Sequence, residues 1–195
     1  MKLRIGYSVE GSTDVALIKG LARRWCPDAE TIEGKCRGST RTSRRREIPS
    51  ICLELARKNA DLIVFLSDSN DNDPIAWKTV LKQETGKLPS EYAHLTVFGA
   101  CQRNVECWFC EDADWLSTKT GKPGDEFRVP DPKTAFESAL DIQARDRKVQ
   151  EIVALVQDAP LHNWLRNRSF EDFYDKLWKK SKSLDGCDME NLRNR

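Results

Sequence analysis

The 195-residue chain has little net charge, little histidine and no long apolar run. Lys and Arg number 32 and Asp and Glu 31, a formal net charge of +1. That balance excludes a histone-like polycation and an acidic solvating tail, while leaving local patches free to bind a charged partner. No apolar stretch approaches the ~20 residues of a spanning helix, because charged residues punctuate every segment. Residues 1–6, Met-Lys-Leu-Arg-Ile-Gly, hold no long apolar signal core. Neither a P-loop nor a GxGxxG is present, so the two commonest phosphate-cradling fingerprints are missing. There is no internal repeat and no long low-complexity segment. The expectation is a soluble, cytosolic protein of one compact domain, or one with a small appendage.

Metal-ligand patterns of the His/Cys type are also scarce. His94 and His162 have no neighbouring ligand pattern, and Cys107 and Cys110 form a CxxC with no second CxxC to complete it. Trp108 and Phe109 fill its gap, which reads as a buried helical face. Seven cysteines are an odd number, and with no secretion signal free thiols in a reducing compartment are expected.

What is present is an alternation of strands and helices. Residues 3–9 read as a strand ending in Glu10-Gly11. Ser12 then caps a helix whose stripe of Val15, Leu17, Ile18 and Leu21 runs to about Trp25. Residues 29–33 read as a second strand, 48–58 as a helix, and 61–66 (Asp-Leu-Ile-Val-Phe-Leu) as a strand covered on both faces. A helix over 76–84 and a strand over 94–99 follow. This βαβαβαβ order predicts a parallel four-stranded sheet flanked by helices, an α/β core over residues 1–103. Residues 104–195 read as a mostly helical extension packed on it. Its helices lie at 105–116, 133–141, 145–157 and 170–180, with a Ser169/Asp172 capping box and a polar, fraying tail from Lys182. The six tryptophans fall mostly at apolar helical positions and read as core or interface anchors.

In an open α/β sheet, ligands bind beyond the carboxyl ends of the strands. The first strand ends at Glu10, the third at Asp68 with Asn70, Asp71 and Asp73 beyond, and the fourth leads to Glu106. Carboxylates that converge repel unless a cation neutralises them, and oxygen donors suit Mg²⁺ or Mn²⁺. Asp71 and Asp73 serve equally well as turn and cap residues. Asp14 reads as support for the first helical turn.

Val9-Glu10-Gly11-Ser12-Thr13-Asp14 after a strand resembles the glutamate motif of the Toprim domain, and residues 63–70, Ile-Val-Phe-Leu-Ser-Asp-Ser-Asn, resemble its Asp-x-Asp strand. Glu106-Cys107-Trp108, Asp131-Pro132-Lys133 and the segment 168–173 resemble a family of small stand-alone Toprim-like proteins, related to the overcoming-lysogenization-defect (OLD) nucleases. The resemblance implies a metal-dependent nuclease of a bacterial or phage-defence system, accompanied by an ATPase. It implies Glu10 as general acid/base or metal ligand, Asp68 as the primary Mg²⁺ ligand, and Glu106 as a further carboxylate of the same cleft. The second Asp of Asp-x-Asp is here Asn70, whose amide oxygen can ligate but brings no charge and cannot act as a base. Asp71 or Asp73 could substitute; otherwise the site is weakened or dead.

Lys35, Arg37, Arg41, Arg44, Arg45 and Arg46 lie in a segment with no acid and several hydroxyls, read as a flexible loop for phosphates. The alternative is a solvated segment or helix start whose arginines pair with glutamates such as Glu47 and Glu54. Lys176, Lys179, Lys180 and Lys182 on the last helix read mainly as structural. Three functions follow: a Mg²⁺- or Mn²⁺-dependent nuclease on DNA or RNA; a catalytically weak or inactive module that binds nucleic acid or a partner; and a subunit activated by an ATPase. A homo-oligomer stays open.

Overall fold

In a computed structural model, residues 2–38, 40–70, 73–140 and 145–194 are described, without the side chains of Arg41, Lys87, residues 145–147 and Asn194. The elements in chain order are β1 (Arg4–Ser8), α1 (Ser12–Trp25), β2 (Glu30–Glu33), α2 (Arg41–Arg57), β3 (Leu62–Asp68), α3 (Pro74–Glu84), α4 (Ser90–Ala93), β4 (Thr96–Cys101), α5 (Glu106–Phe109), α6 (Ala113–Thr120), α7 (Lys133–Leu140), α8 (Arg145–Asp158), α9 (Leu161–Trp164) and α10 (Arg168–Ser181). The four strands form one all-parallel sheet in the order β2-β1-β3-β4. This is the α/β architecture the alternation predicts, and it is consistent with a Toprim-like fold.

The period-two alternation of β3 decides what covers each face. Leu62, Val64 and Leu66 join Ile5, Tyr7 and Val97 under α1, α8 and α10. Ile63 and Phe65 join Phe98 under α2 and α3, with Phe65 and Phe98 stacked 5.1 Å apart. The continuous apolar run is therefore two interleaved faces, both covered, as a buried parallel strand requires. The first face extends without a break into the C-terminal half: Trp108, Phe109, Phe136, Trp164, Phe170 and Phe173 are all fully buried in the same apolar cluster. Two glycines let helices approach. A Cβ on Gly20 of α1 would lie 2.5 Å from Val156 of α8, and one on Gly99 of β4 would lie 2.6 Å from Phe173 of α10.

Several expectations are corrected. Helix α2 begins at Arg41, because Thr40 and Ser43 cap it reciprocally, so the arginine-rich segment is largely helical rather than a loop. Gly11 caps α1, not Ser12. Residues 105–116 form two short helices joined by a 3₁₀ turn at Cys110–Asp112. Asn167 caps α10, accepting the Ser169 N–H, so the Ser169/Asp172 box does not form. The tail is tied to the rest of the chain at several described residues. Cys26 and Cys187 form a disulfide, against the expectation of free thiols throughout. The Asp188 N–H donates to the Trp25 carbonyl, Arg24 pairs with Glu190, and Arg193 pairs with Glu171 and Asp175.

Candidate metal centre

The carboxyl ends of β1, β3 and β4 lie side by side, and the first turn of α1 rises beside them. Asp14, in that turn, accepts the Gly11 N–H through Oδ2 at 2.7 Å. A Cβ on Gly11 would come within 3.1 Å of that oxygen, so a glycine suits the close approach. Asp14 is 4% exposed, and its Oδ1 has no hydrogen-bond partner among the described residues. One ligand atom each from Asp14, Asp68 and Cys101 lies within 4.8 Å of the others. Glu106, at the start of α5, is 3% exposed and faces the same group electrostatically, with Thr13 favouring its charged form.

Packed carboxylates resist ionisation. Burial, then the charges of Asp68, Glu106 and Glu10, push the Asp14 carboxyl well above the usual carboxylate range, against the pull of the Gly11 N–H. Burial likewise pushes Glu106 up, opposed by its own backbone N–H, Lys133 and Thr13. The Cys101 thiol, fully buried, is driven well above its ordinary value by burial and then by Asp14, Asp68 and Glu106, so it stays a neutral S–H. Lys133, at the start of α7, is a cation close to this cluster. Burial works against its charge, and Glu106, Glu137, Asp68 and Asp14 outweigh that and hold the ammonium protonated.

Glu10 stands next to this group with its oxygens engaged. Oε1 accepts from the Ser67 hydroxyl at 2.5 Å and the Asp68 N–H at 3.2 Å, and Oε2 pairs with Arg44 at 2.5 Å. Ser67 in turn accepts the Trp77 indole N–H at 3.1 Å. Asn70 is exposed, with φ of 51°, and its backbone bridges to Arg103, itself at φ of 62°. An asparagine tolerates that left-handed backbone. The Asp73 carboxylate caps α3, accepting from Ile75 and Ala76 N–H groups. The structure therefore brings Glu10, Asp68 and Glu106 together. Asn70 and Asp73 lie outside the three-ligand group, and Asp71 lies outside the described residues.

Of the basic segment, Lys35, Arg37 and Arg46 are exposed. Arg44 is held by Glu10, and Arg45 pairs with Glu84 at 2.9 Å. The Arg37 N–H donates to Glu47, and the side chain of Arg41 is outside the described residues. Cys107 and Cys110 are partly buried, and burial raises both thiols, as core packing predicts. Among the described residues no helix is long and apolar enough to cross a membrane.

Asp14 and Cys101 are the members of this group that reading the sequence left out. The signal for Asp14 was there, since positions 14, 17, 18 and 21 share one helix face, and the last three are buried apolar residues.

No protein-family model matches the chain, and no curated protein does either. Among solved structures the chain is similar to the C-terminal region of the Burkholderia pseudomallei OLD protein, with 15% sequence identity and a TM-score of 0.43, over 91% of this chain and 99% of that one.

Proposed function

We propose that the protein is a Mg²⁺- or Mn²⁺-dependent nuclease that hydrolyses phosphodiester bonds in DNA or RNA. The observation that carries this reading is the buried, partnerless Asp14 Oδ1, in a group with Asp68 and Cys101 whose ligand atoms lie within 4.8 Å of one another. A buried carboxylate oxygen without a donor is costly unless a cation completes it. The oxygen donors fit a hard divalent ion, and the neutral Cys101 thiol does not compete for it. Asp14 and Asp68 would hold the ion, with Glu106 and Glu10 adjacent. When bound, such an ion neutralises the carboxylates, polarises a phosphoryl oxygen and acidifies water.

The chain's own residues supply the rest. Glu10 accepts protons or orients water once Arg44 releases it. Arg44, freed, becomes a donor to a phosphate oxygen. Lys133, close to Glu106, Asp68 and Asp14, offers a second cation, and Lys35, Arg37 and Arg46 are exposed and open to phosphates. The Toprim resemblance of residues 9–14 and 63–70 supports the same reading, and with it an ATPase partner in a defence system.

The test is titration calorimetry with Mn²⁺ together with nicking of supercoiled DNA and cleavage of labelled RNA. Wild type binds Mn²⁺ and cuts one of the substrates. Asp68→Asn and Asp14→Asn lose both properties, and Glu10→Gln loses cleavage. Undiminished cutting by these variants overturns the assignment. A second reading, a chain inert by itself, is favoured by the Arg44–Glu10 ion pair and by Asn70 standing outside the ligand group. It predicts Mn²⁺ binding without cleavage until an ATPase partner is added.

A further inference from the structure

Away from the carboxylates, a second cluster of like charge lies along the sheet's open edge. Strand β4 pairs with β3 on one side and ends the sheet on the other. Helices α3 and α10 pack on its two faces, and a cleft of about 390 Å³ opens between them over Thr96, Val97 and Phe98. Six basic side chains line it: Lys78 and Lys82 from α3, Lys176, Lys179 and Lys180 from α10, and His94. The lysine spacings, i and i+4 on α3 and i, i+3 and i+4 on α10, put each row on one helix face.

Among the described residues, the acid paired with these lysines is Asp172. Asp172 Oδ2 takes the Lys78 ammonium at 2.5 Å, and Oδ1 takes the Lys176 ammonium. Lys78 is only 11% exposed in its side chain, while Lys176 is 36% exposed, so one shielded and one half-exposed ammonium share one anion. Burial and Lys78 together pull the Lys176 ammonium below its ordinary range, against the hold of Asp172. Lys180 spends a hydrogen bond on the His94 carbonyl. Lys82, Lys179 and Lys180 make no ion pair among the described residues, and Lys82 and Lys179 are exposed. Five lysines against one aspartate leave an excess of about four positive charges in one cleft, which a polyanion would neutralise.

The cleft is also aligned with the metal centre. Helix α10 starts at the carboxyl end of β4, where the Ser169 hydroxyl accepts the Gln102 N–H, and runs back along the strand past Gly99 to His94. At ~3.3 Å per residue, Phe98 lies about 10 Å and Thr96 about 17 Å along β4 from Cys101. A duplex advances ~3.4 Å per base step, so these lysines stand roughly three to five steps from the carboxylates.

From this placement we infer that the lysine cleft between α3 and α10 is a track for a nucleic-acid backbone, holding the phosphates a few steps from the one being cut. The inference deepens the nuclease reading and rests on it for the direction of the strand. An acidic protein segment laid along the β4 edge is the competing occupant. Linear rows of lysines on both sides, leading to a site for phosphodiesters, favour the nucleic acid.

The test measures binding and not cutting, so it can be read even on a protein that cleaves nothing. Fluorescence anisotropy with 30-bp duplex DNA, and with single-stranded DNA and RNA of that length, is followed in Ca²⁺ from low to high salt. For the ligand bound tightest by wild type, the variant Lys82→Ala/Lys179→Ala/Lys180→Ala lowers the log–log salt slope by about 2–3 and weakens low-salt binding about tenfold or more. Lysine acetylation of the wild-type chain is the companion measurement, needing no variant: nucleic acid protects Lys82 and Lys179 at least about twofold, and polyglutamate does not. An unchanged slope with no protection overturns the track. So does protection by polyglutamate alone, which assigns the cleft to an acidic partner. So does a wild-type chain that binds none of the polyanions, which leaves the lysines as guards of a sheet edge. If the variant fails to fold by circular dichroism, the acetylation pattern decides.

Discussion

Asp14 accepts the Gly11 N–H through one carboxylate oxygen and buries the other beside Asp68. Its pH linkage follows from that placement. Asp14 and Glu106 are both raised in the folded chain. A carboxyl raised on folding contributes stability below its unfolded value of about 4, and that contribution is lost as pH rises through the folded value. In EDTA, Tm should therefore fall between pH 5 and pH 8, and Mn²⁺ should cancel most of the fall. Asp14→Asn should flatten the metal-free profile. A profile identical in wild type and Asp14→Asn removes Asp14 from the account. Glu10 and Asp68 were legible because a residue that ends an apolar strand must sit at the sheet's carboxyl edge. Asp14 reads as support for the first helical turn, and its burial beside Asp68 is passed over because an acid there has a sufficient local role. The capping role is real, and the same geometry buries the side chain. Asn70 was legible as a departure, while its left-handed backbone depends on the bridge to Arg103, 33 residues away, which no local pattern encodes.

Among the elements, α10 is tied to the sheet by one hydroxyl. Ser169 Oγ accepts the buried Trp108 indole N–H at 2.7 Å and the Gln102 N–H at 3.0 Å, and donates to Asn167 Oδ1 at 2.6 Å. Ser169→Ala leaves two donors unsatisfied, one of them deeply buried, at about 1–3 kcal/mol each. Chemical denaturation should show a loss of roughly 2–4 kcal/mol. A loss under about 0.5 kcal/mol, the range of a neutral surface change, contradicts this account. The amphipathic stripe of Phe170, Phe173 and Leu177 made the helix itself legible. Its cap was not, because Ser169 is as good a cap by type as Asn167, and only the pull of Trp108 and Gln102 decides between them. Helix α2 shows the opposite failure. The basic segment reads as a loop with the helix starting at residue 48, and the helix instead begins at Arg41. It starts upstream at the Thr40/Ser43 cap and runs through Pro49, because Ile48, Ile51, Cys52 and Leu55 bury its face.

At the scale of the whole molecule, one apolar cluster joins the sheet to the C-terminal helices, and Cys26–Cys187 closes a loop of sequence separation 161. A link over that span restricts the unfolded chain and stabilises by about 2–5 kcal/mol. Reduction, or Cys187→Ser, should lower Tm by roughly 5–20 °C in a chain of this size. Equal melting curves with and without reductant remove the bridge from the stability account. The parallel sheet was legible from the alternation of strands and helices. The bridge was not, because pairing depends on Trp25 and Asp188 bringing two distant segments into register. The sheet order has a further consequence, in time. The candidate centre draws on residues 10, 14, 68, 101 and 106, so in a chain made from its N-terminus it can assemble once the fourth strand and the turn after it have emerged. Cys187 follows about eighty residues later, or roughly 4–16 s at ordinary synthesis rates. For that interval Cys26 is a free thiol on a nascent chain that already holds every candidate ligand, so under the proposed function a metal ion can be bound before the covalent lock is set.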